Sequence, residues 1–194
     1  MKLYSKNVSV KERQMERSLI MCGSGGQGIL LGGSLALVAA FREGKKVTWL
    51  PSYGAEKRGG LSYCAVVISD EEIMSPVLSH AECIIGLDTI GFNIYKGSIA
   101  KGGSFIVNSS LVKDGGTLSG CKVLELPISD IAKDVGSNRV VNMVSLGVYA
   151  AVSKAVKLDS LKAGLEEVMS SRHKDMITMN IKALDRGYSE GGGK

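Results

Sequence analysis

An uncharged stretch runs from Ser18 to Phe41 and is cut by six residues of which four are glycine, Gly23-Ser24-Gly25-Gly26-Gln27-Gly28. The run before the cut, Leu19–Cys22, is short and wholly apolar, as in a central strand buried on both faces. The run after it, Ile29–Phe41, is apolar on more than one face. It predicts a helix from about Gly26 to Arg42, ended at Gly44, with its sheet on one side and another subunit on the other. The interruption also excludes a membrane span, because the apolar segment left is too short to cross a bilayer. Strand, glycine turn and buried helix in that order commit the chain to an α/β fold.

The remaining elements follow the same alternation. Lys46–Leu50 predicts a strand stopped by Pro51, and Leu61–Ser69 is a second, rich in β-branched residues. Ile73–Leu78, with Pro76, is irregular. Cys83–Leu87 is a further apolar strand, followed by a helix over Gly91–Lys101, a strand at Ser104–Val107 and a last strand at Lys122–Leu126. Helices are expected over Ser129–Val135, Val140–Val156, Leu158–Met169 (capped near Asp159-Ser160) and Met176–Tyr188. The fold class is α/β, three-layered, with a largely parallel sheet, flanking helices and a helical C-terminal portion. The organisation is a polar N-terminal extension over 1–17, one domain over 18–189 and a disordered tail over 190–194. At 194 residues such a domain buries about 70% of the surface its unfolded chain exposes.

Charge and cysteine usage narrow the function classes. Three of the five net positive charges fall within residues 1–17, so no basic stripe is left to suggest nucleic acid. Cys22, Cys64, Cys83 and Cys121 lie far apart with no Cys-x-x-Cys pair, which argues against a zinc or iron–sulfur site in this chain and for reduced thiols in the cytoplasm. Cys64 and Cys83 read as core; Cys22, beside the glycine turn, reads as core or as a reactive thiol. His80 and His173, the two histidines, sit in polar surroundings and read as surface residues.

Gly23-x-Gly25-x-x-Gly28 after a strand and before a helix matches the dinucleotide fingerprint: glycine lets an anion approach the backbone, and the helix start offers free N–H groups. Two checks oppose a nucleotide. The next strand ends Val47-Thr48-Trp49-Leu50-Pro51, without the acid that would hold a ribose, and Ile29-Leu30 stand where a phosphate loop needs Lys and Ser or Thr. The readings left are tight strand-to-helix packing, or an anion or acyl-carrier site shared with a partner, with the Gln27 amide donating to a bound oxygen.

The second dense motif, Ser52-Tyr53-Gly54-Ala55-Glu56-Lys57-Arg58-Gly59-Gly60, belongs to a ten-residue polar loop that begins at Pro51. It lies beyond the carboxyl end of a strand, where open α/β sheets bind ligands. Arg58 is suited to bidentate binding of a carboxylate or phosphate, and Glu56 to orienting it or meeting a partner's cation. A plain surface turn held by a Glu–Arg pair needs fewer specialised residues than this.

These two motifs in this order, followed by Ile68-Ser69-Asp70-Glu71-Glu72-Ile73 and Ser75-Pro76, resemble the gamma subunit of the 2-oxoacid:ferredoxin oxidoreductases. The resemblance covers most of residues 18–150. It implies a part of an enzyme that oxidatively decarboxylates a 2-oxoacid such as 2-oxoglutarate, passes the acyl group to coenzyme A and reduces ferredoxin. It further implies partner alpha, beta and delta subunits that hold thiamine diphosphate, Mg and iron–sulfur clusters, with no catalytic residue and no metal ligand in this chain. On this reading Gly23, Gly25, Gly26, Gln27, Gly28, Ser52, Tyr53, Gly54, Glu56, Arg58, Gly59 and Gly60 form the candidate cofactor-binding set, for part of coenzyme A. The isolated chain is expected to be inactive and to pair with itself through exposed apolar surface on the Ile29–Phe41 helix. Two competing classes are a stand-alone NAD(P)-dependent oxidoreductase and a non-enzymatic nucleotide-binding or interaction protein.

Overall fold

The computed structural model describes residues 16–53, 60–113, 116, 118–169 and 176–194. Six strands, β1 (Arg17–Ser24), β2 (Lys46–Tyr53), β3 (Leu61–Ser69), β4 (Ala81–Gly86), β5 (Ile99–Asn108) and β6 (Lys122–Leu126), form one sheet in the order β2-β3-β1-β4-β5-β6. β3 is antiparallel to both neighbours, and the other described strands run in one direction. No helix separates β2 from β3 among the described residues, so the chain returns beside itself as a hairpin rather than through a crossover. The expected largely parallel α/β sheet is what forms.

The helices are α1 (Ile29–Arg42), α2 (Thr89–Tyr95), α3 (Ile128–Val135), α4 (Val141–Ser153), α5 (Leu158–Val168) and α6 (Ile177–Glu190), with a 3-10 turn at Asn138–Val140 before α4. Alternate residues of β1 serve opposite cores. Leu19 and Met21 join a large cluster with residues from α1, α3, α4, α5 and α6, whereas Ile20 and Cys22 join a small one to which α2 contributes Phe92. In the large core α4 and α6 touch backbone to backbone. A Cβ on Gly187 would collide with the Val144 carbonyl oxygen, and one on Gly147 with that of Leu184.

Several expectations are corrected. α1 begins at Ile29, not Gly26, because Gly26 and Gly28 take positive φ (100° and 72°), which no helix continues through. Its second side is met by α5 of its own chain: a Cβ on Gly164 would lie 3.0 Å from Val38 and 3.1 Å from Leu35. Pro51 does not stop β2, which pairs on one side only and so tolerates a proline. The helix expected over Gly91–Lys101 starts at Thr89, where the Asp88 side chain caps it, and ends before Gly97, and β5 begins at Ile99. The cap of α5 falls at Lys157, whose N–H donates to Glu43 Oε1 at 2.7 Å.

Arg17, assigned to the N-terminal extension, opens β1. It faces Ile68 across the ladder, pairs with Glu82 at 3.0 Å and donates to the Ser153 carbonyl. Residues 1–15 lie outside the described ones. The tail expected to be disordered from Glu190 is instead tied down at its start. Glu190 ends α6, and the N–H groups of Gly191, Gly192 and Gly193 donate to Gly187, Ser189 and Tyr188.

Candidate functional site

β1 and β2 run in the same direction, so the glycine turn after Ser24 and the loop after Tyr53 leave the sheet at one edge. Ser24 faces Leu61 and Tyr53 faces Ser62 across β3. The Gly25 N–H donates to the Gly60 carbonyl at 2.9 Å. The first motif is thus hydrogen-bonded to the last residue of the second. Gly54, Glu56, Arg58 and Gly59 lie outside the described residues.

Within the turn the glycines divide by task. Gly23 is hemmed in on two sides: a Cβ there would strike Gln27 Oε1, and the backbone of Gly23 and Cys22 lies so near Gly91 that a Cβ on Gly91 would stand 2.7 Å from the Gly23 nitrogen. Gly28 must hold its positive φ, and its carbonyl accepts from Gly32 N–H (2.9 Å) and from Asn142 Nδ2 (3.0 Å). Gly25 and Gly26, by contrast, are exposed. Gly23 and Gly28 therefore serve packing, and Gly25 and Gly26 are the pair that faces solvent. Gln27 is half-buried and turns its side-chain oxygen inward, accepting from Ser24 N–H at 2.9 Å. That leaves only its NH2 end for the donor role expected of it. No acidic residue lies in the first turn of α1 and no side chain caps it, so nothing within the helix offsets the positive end of its dipole.

Two residues that sequence reading passed over hold this edge together. Asp88 accepts from Gly91 N–H at 2.9 Å and from the Ser24 hydroxyl, so one carboxylate caps α2 and ties it to the glycine turn. Asn142, almost wholly buried at the start of α4, reaches across to Gly28. Both had readable signals. An Asp three residues before Gly91 at a strand's end fits a helix cap, and a lone Asn in the apolar run Val140–Val144 must find a partner when buried. A third polar residue, buried Asn108, donates to the Leu87 carbonyl (2.9 Å) and the Ser129 hydroxyl (2.8 Å) and so fixes the next strand end to α3.

The cysteines near the edge are core residues. Burial, then the neighbouring Asp88 charge, pushes the Cys22 thiol up, and burial pushes Cys64 up to about 12. Cys22 spends its S–H on the Ile85 carbonyl at 3.4 Å. Among the described residues no group of three or more His, Cys, Asp or Glu is placed to hold a metal ion, and no helix is long and apolar enough to cross a membrane. His80 is exposed; His173 lies outside the described residues.

The family model described as "Pyruvate ferredoxin/flavodoxin oxidoreductase" matches residues 18–190. Subunit VorA of the ketoisovalerate oxidoreductase of Methanothermobacter thermautotrophicus is 31% identical over 168 residues, which is 86% of this chain but 35% of VorA. The chain therefore spans about a third of that relative's length. Subunit KorC of the 2-oxoglutarate synthase of Methanocaldococcus jannaschii is 31% identical over 178 residues, covering 90% of this chain and 94% of KorC. The crystal structure of the gamma subunit of a keto/oxoacid ferredoxin oxidoreductase from Geobacter sulfurreducens superposes with a TM-score of 0.77 at 27% identity, over 90% of this chain and 98% of the other.

Proposed function

The chain belongs to the pyruvate ferredoxin/flavodoxin oxidoreductase family, and from that premise we propose that it is the gamma-type subunit of a cytoplasmic 2-oxoacid:ferredoxin oxidoreductase. The assembled enzyme would convert a 2-oxoacid such as 2-oxoglutarate to its acyl-coenzyme A with reduction of ferredoxin. Alpha, beta and delta chains would carry the thiamine diphosphate, Mg and iron–sulfur clusters that supply the carbon and electron chemistry. This chain contributes assembly and a share of the coenzyme A site.

The observation that supports this reading is the bond between Gly25 N–H and the Gly60 carbonyl, which joins the two sequence motifs at the carboxyl edge of the sheet. Coenzyme A is anionic through its phosphates. Gly26, exposed beside a Gly25 whose own N–H is held by Gly60, offers backbone near the uncapped start of α1, at the positive end of the helix dipole, and Arg58 supplies a guanidinium suited to bidentate phosphate binding. Ser52, Tyr53, Gly54, Glu56, Gly59 and Gly60 complete the proposed wall. Gly23, Gln27 and Gly28 set its shape rather than touch the ligand. An acid that would select a nicotinamide ribose is missing from the end of β2, so the family reading is preferred to a stand-alone dehydrogenase.

The test is steady-state kinetics of the assembled complex carrying Arg58→Ala. An apparent KM for coenzyme A raised about tenfold or more, with the KM for the 2-oxoacid unchanged, is expected from the loss of a charge-assisted phosphate contact. A complex that forms normally with an unchanged coenzyme A dependence, or a variant whose sole defect is failure to assemble, would overturn the coenzyme A assignment.

A further inference from the structure

α2 is a helix of seven residues whose inner side is well packed. Phe92 meets Phe105 edge-on at 5.3 Å, Tyr95 meets Tyr63 at 5.1 Å, and Gly91 lies against the glycine turn. Its outer side carries Ile90 and Ile94, one turn apart and 46% and 52% exposed. Beside them lies Leu111, 46% exposed, whose carbonyl accepts from Thr89 Oγ1 at 3.1 Å. The outer positions of a solvated helix are ordinarily charged. The helix itself bears no charged residue; Asp88 caps its start, Lys96 follows its end, and next to Leu111 the Asp130 carboxylate accepts from the Ser110 hydroxyl and pairs with Lys133. Exposed aliphatic side chains bordered by charged ones have the anatomy of an interface, an apolar centre within a polar rim.

We infer that Ile90, Ile94 and Leu111 form the surface on which this chain docks a partner polypeptide, the counterpart of the part of VorA that this chain does not cover. The inference rests on the subunit reading above and adds the surface to it. The same fold occurs as about a third of VorA and as nearly the whole of KorC. In the long form it is tethered to a large polypeptide, and in the short form the same association has to be held by contact alone. The α2 face adjoins the candidate site, because Asp88 caps α2 and also bonds Ser24 of the glycine turn. A partner seated there therefore reaches the edge where Gly25 meets Gly60. Its matching surface is aliphatic or aromatic and poor in charge.

The experiment is co-expression of the full chain with the chain of its source organism that corresponds to the rest of VorA, read by size-exclusion co-elution. The chains compared are the parent, the double variant Ile90→Glu/Ile94→Glu, and Phe41→Glu as a control at an exposed apolar residue at the end of α1. The double variant is expected to retain about tenfold less partner or lower, with its circular dichroism unchanged, and Phe41→Glu to retain as much as the parent. Hydrogen exchange on the parent assembly gives a second readout that needs no substitution: the amides of residues 89–95 gain protection when the partner binds. The docking surface is overturned if the double variant co-elutes as the parent does, or if that protection does not change. It is also overturned if the substitutions only split a dimer of this chain and leave the partner bound. If the parent itself retains no such chain, the subunit reading falls and the docking surface falls with it.

Discussion

On one face of the sheet five helices share a core with the strands, α1 and α4 lying against them and α5 and α6 stacked on those two; on the other, among the described residues, a single helix of seven residues packs. The thick face uses devices of permanent packing. Gly147 and Gly187 let two helices meet backbone to backbone, Arg42 pairs with Glu167 across α1 and α5, and Lys162 pairs with Asp185 across α5 and α6. The thin face has two aromatic contacts and then presents isoleucine to solvent. A parallel sheet is normally covered on both faces within its own chain. The difference teaches that intrachain packing among the described residues is concentrated on one side, and that the other side leaves apolar side chains in solvent.

The contrast breaks most visibly at Gly187. A methyl group there meets the Val144 carbonyl, an atom that cannot step aside without moving α4, so Gly187→Ala is expected to destabilise the chain by about 3 kcal/mol. Urea denaturation of the isolated chain measures this, and a loss under about 1 kcal/mol would mean that the thick face is not close-packed. On the thin face Asp88→Ala removes the cap of α2 and the tether to Ser24, at about 1 to 2 kcal/mol. Native-state hydrogen exchange should show α2 losing protection while α4 and α6 keep theirs. Equal loss in all three would show that α2 is no separate unit.

Much of this asymmetry was legible before any coordinates. The apolar runs located the central strands, because a strand buried on both faces needs unbroken hydrophobicity over few residues, and Leu19–Cys22 and Cys83–Leu87 have it. The glycines of the turn announced a tight strand-to-helix passage. What was not legible depended on partners distant in sequence. That Gly28 is held by Asn142, 114 residues away, is set by how α4 crosses α1, and local pattern carries no such information. α1 looked wrapped by another subunit because its apolar surface exceeded what one sheet covers, and α5 supplies that cover. The fraying expected of a terminal Gly-Gly-Gly was reversed at its start, because the first of these glycines fits closely against Ala151 and Val148 of α4.

The cysteines sharpen the comparison at lower energy. The thiolate is the reactive form, and burial raises Cys22, Cys64 and Cys83, so each is protonated and shielded at pH 8. Cys22 belongs to the core under α2, whereas Cys64 and Cys83 belong to the thick-face core. With a maleimide at pH 8 the partly exposed Cys121 should react first, Cys22 next as α2 opens locally, and Cys64 and Cys83 only on global unfolding. Peptide mapping over time gives the order. Cys22 reacting together with Cys64 would mean that the two faces open as one.

The smallest effect is the most discriminating. Ile90→Ser/Ile94→Ser removes two aliphatic side chains that are about half exposed and stand on the outer side of a helix whose inner contacts, Phe92 and Tyr95, are untouched. Were those isoleucines part of the domain's own core, their loss would leave cavities and cost several kcal/mol. Standing outside it, they should change the stability of the isolated chain by no more than about 0.5 kcal/mol, the range of ordinary surface substitutions. The midpoint in urea should stay where it is, and solubility should rise as apolar surface is removed. A clear fall in the midpoint would place the isoleucines in an intrachain contact, and the thin face would then be closed by its own polypeptide.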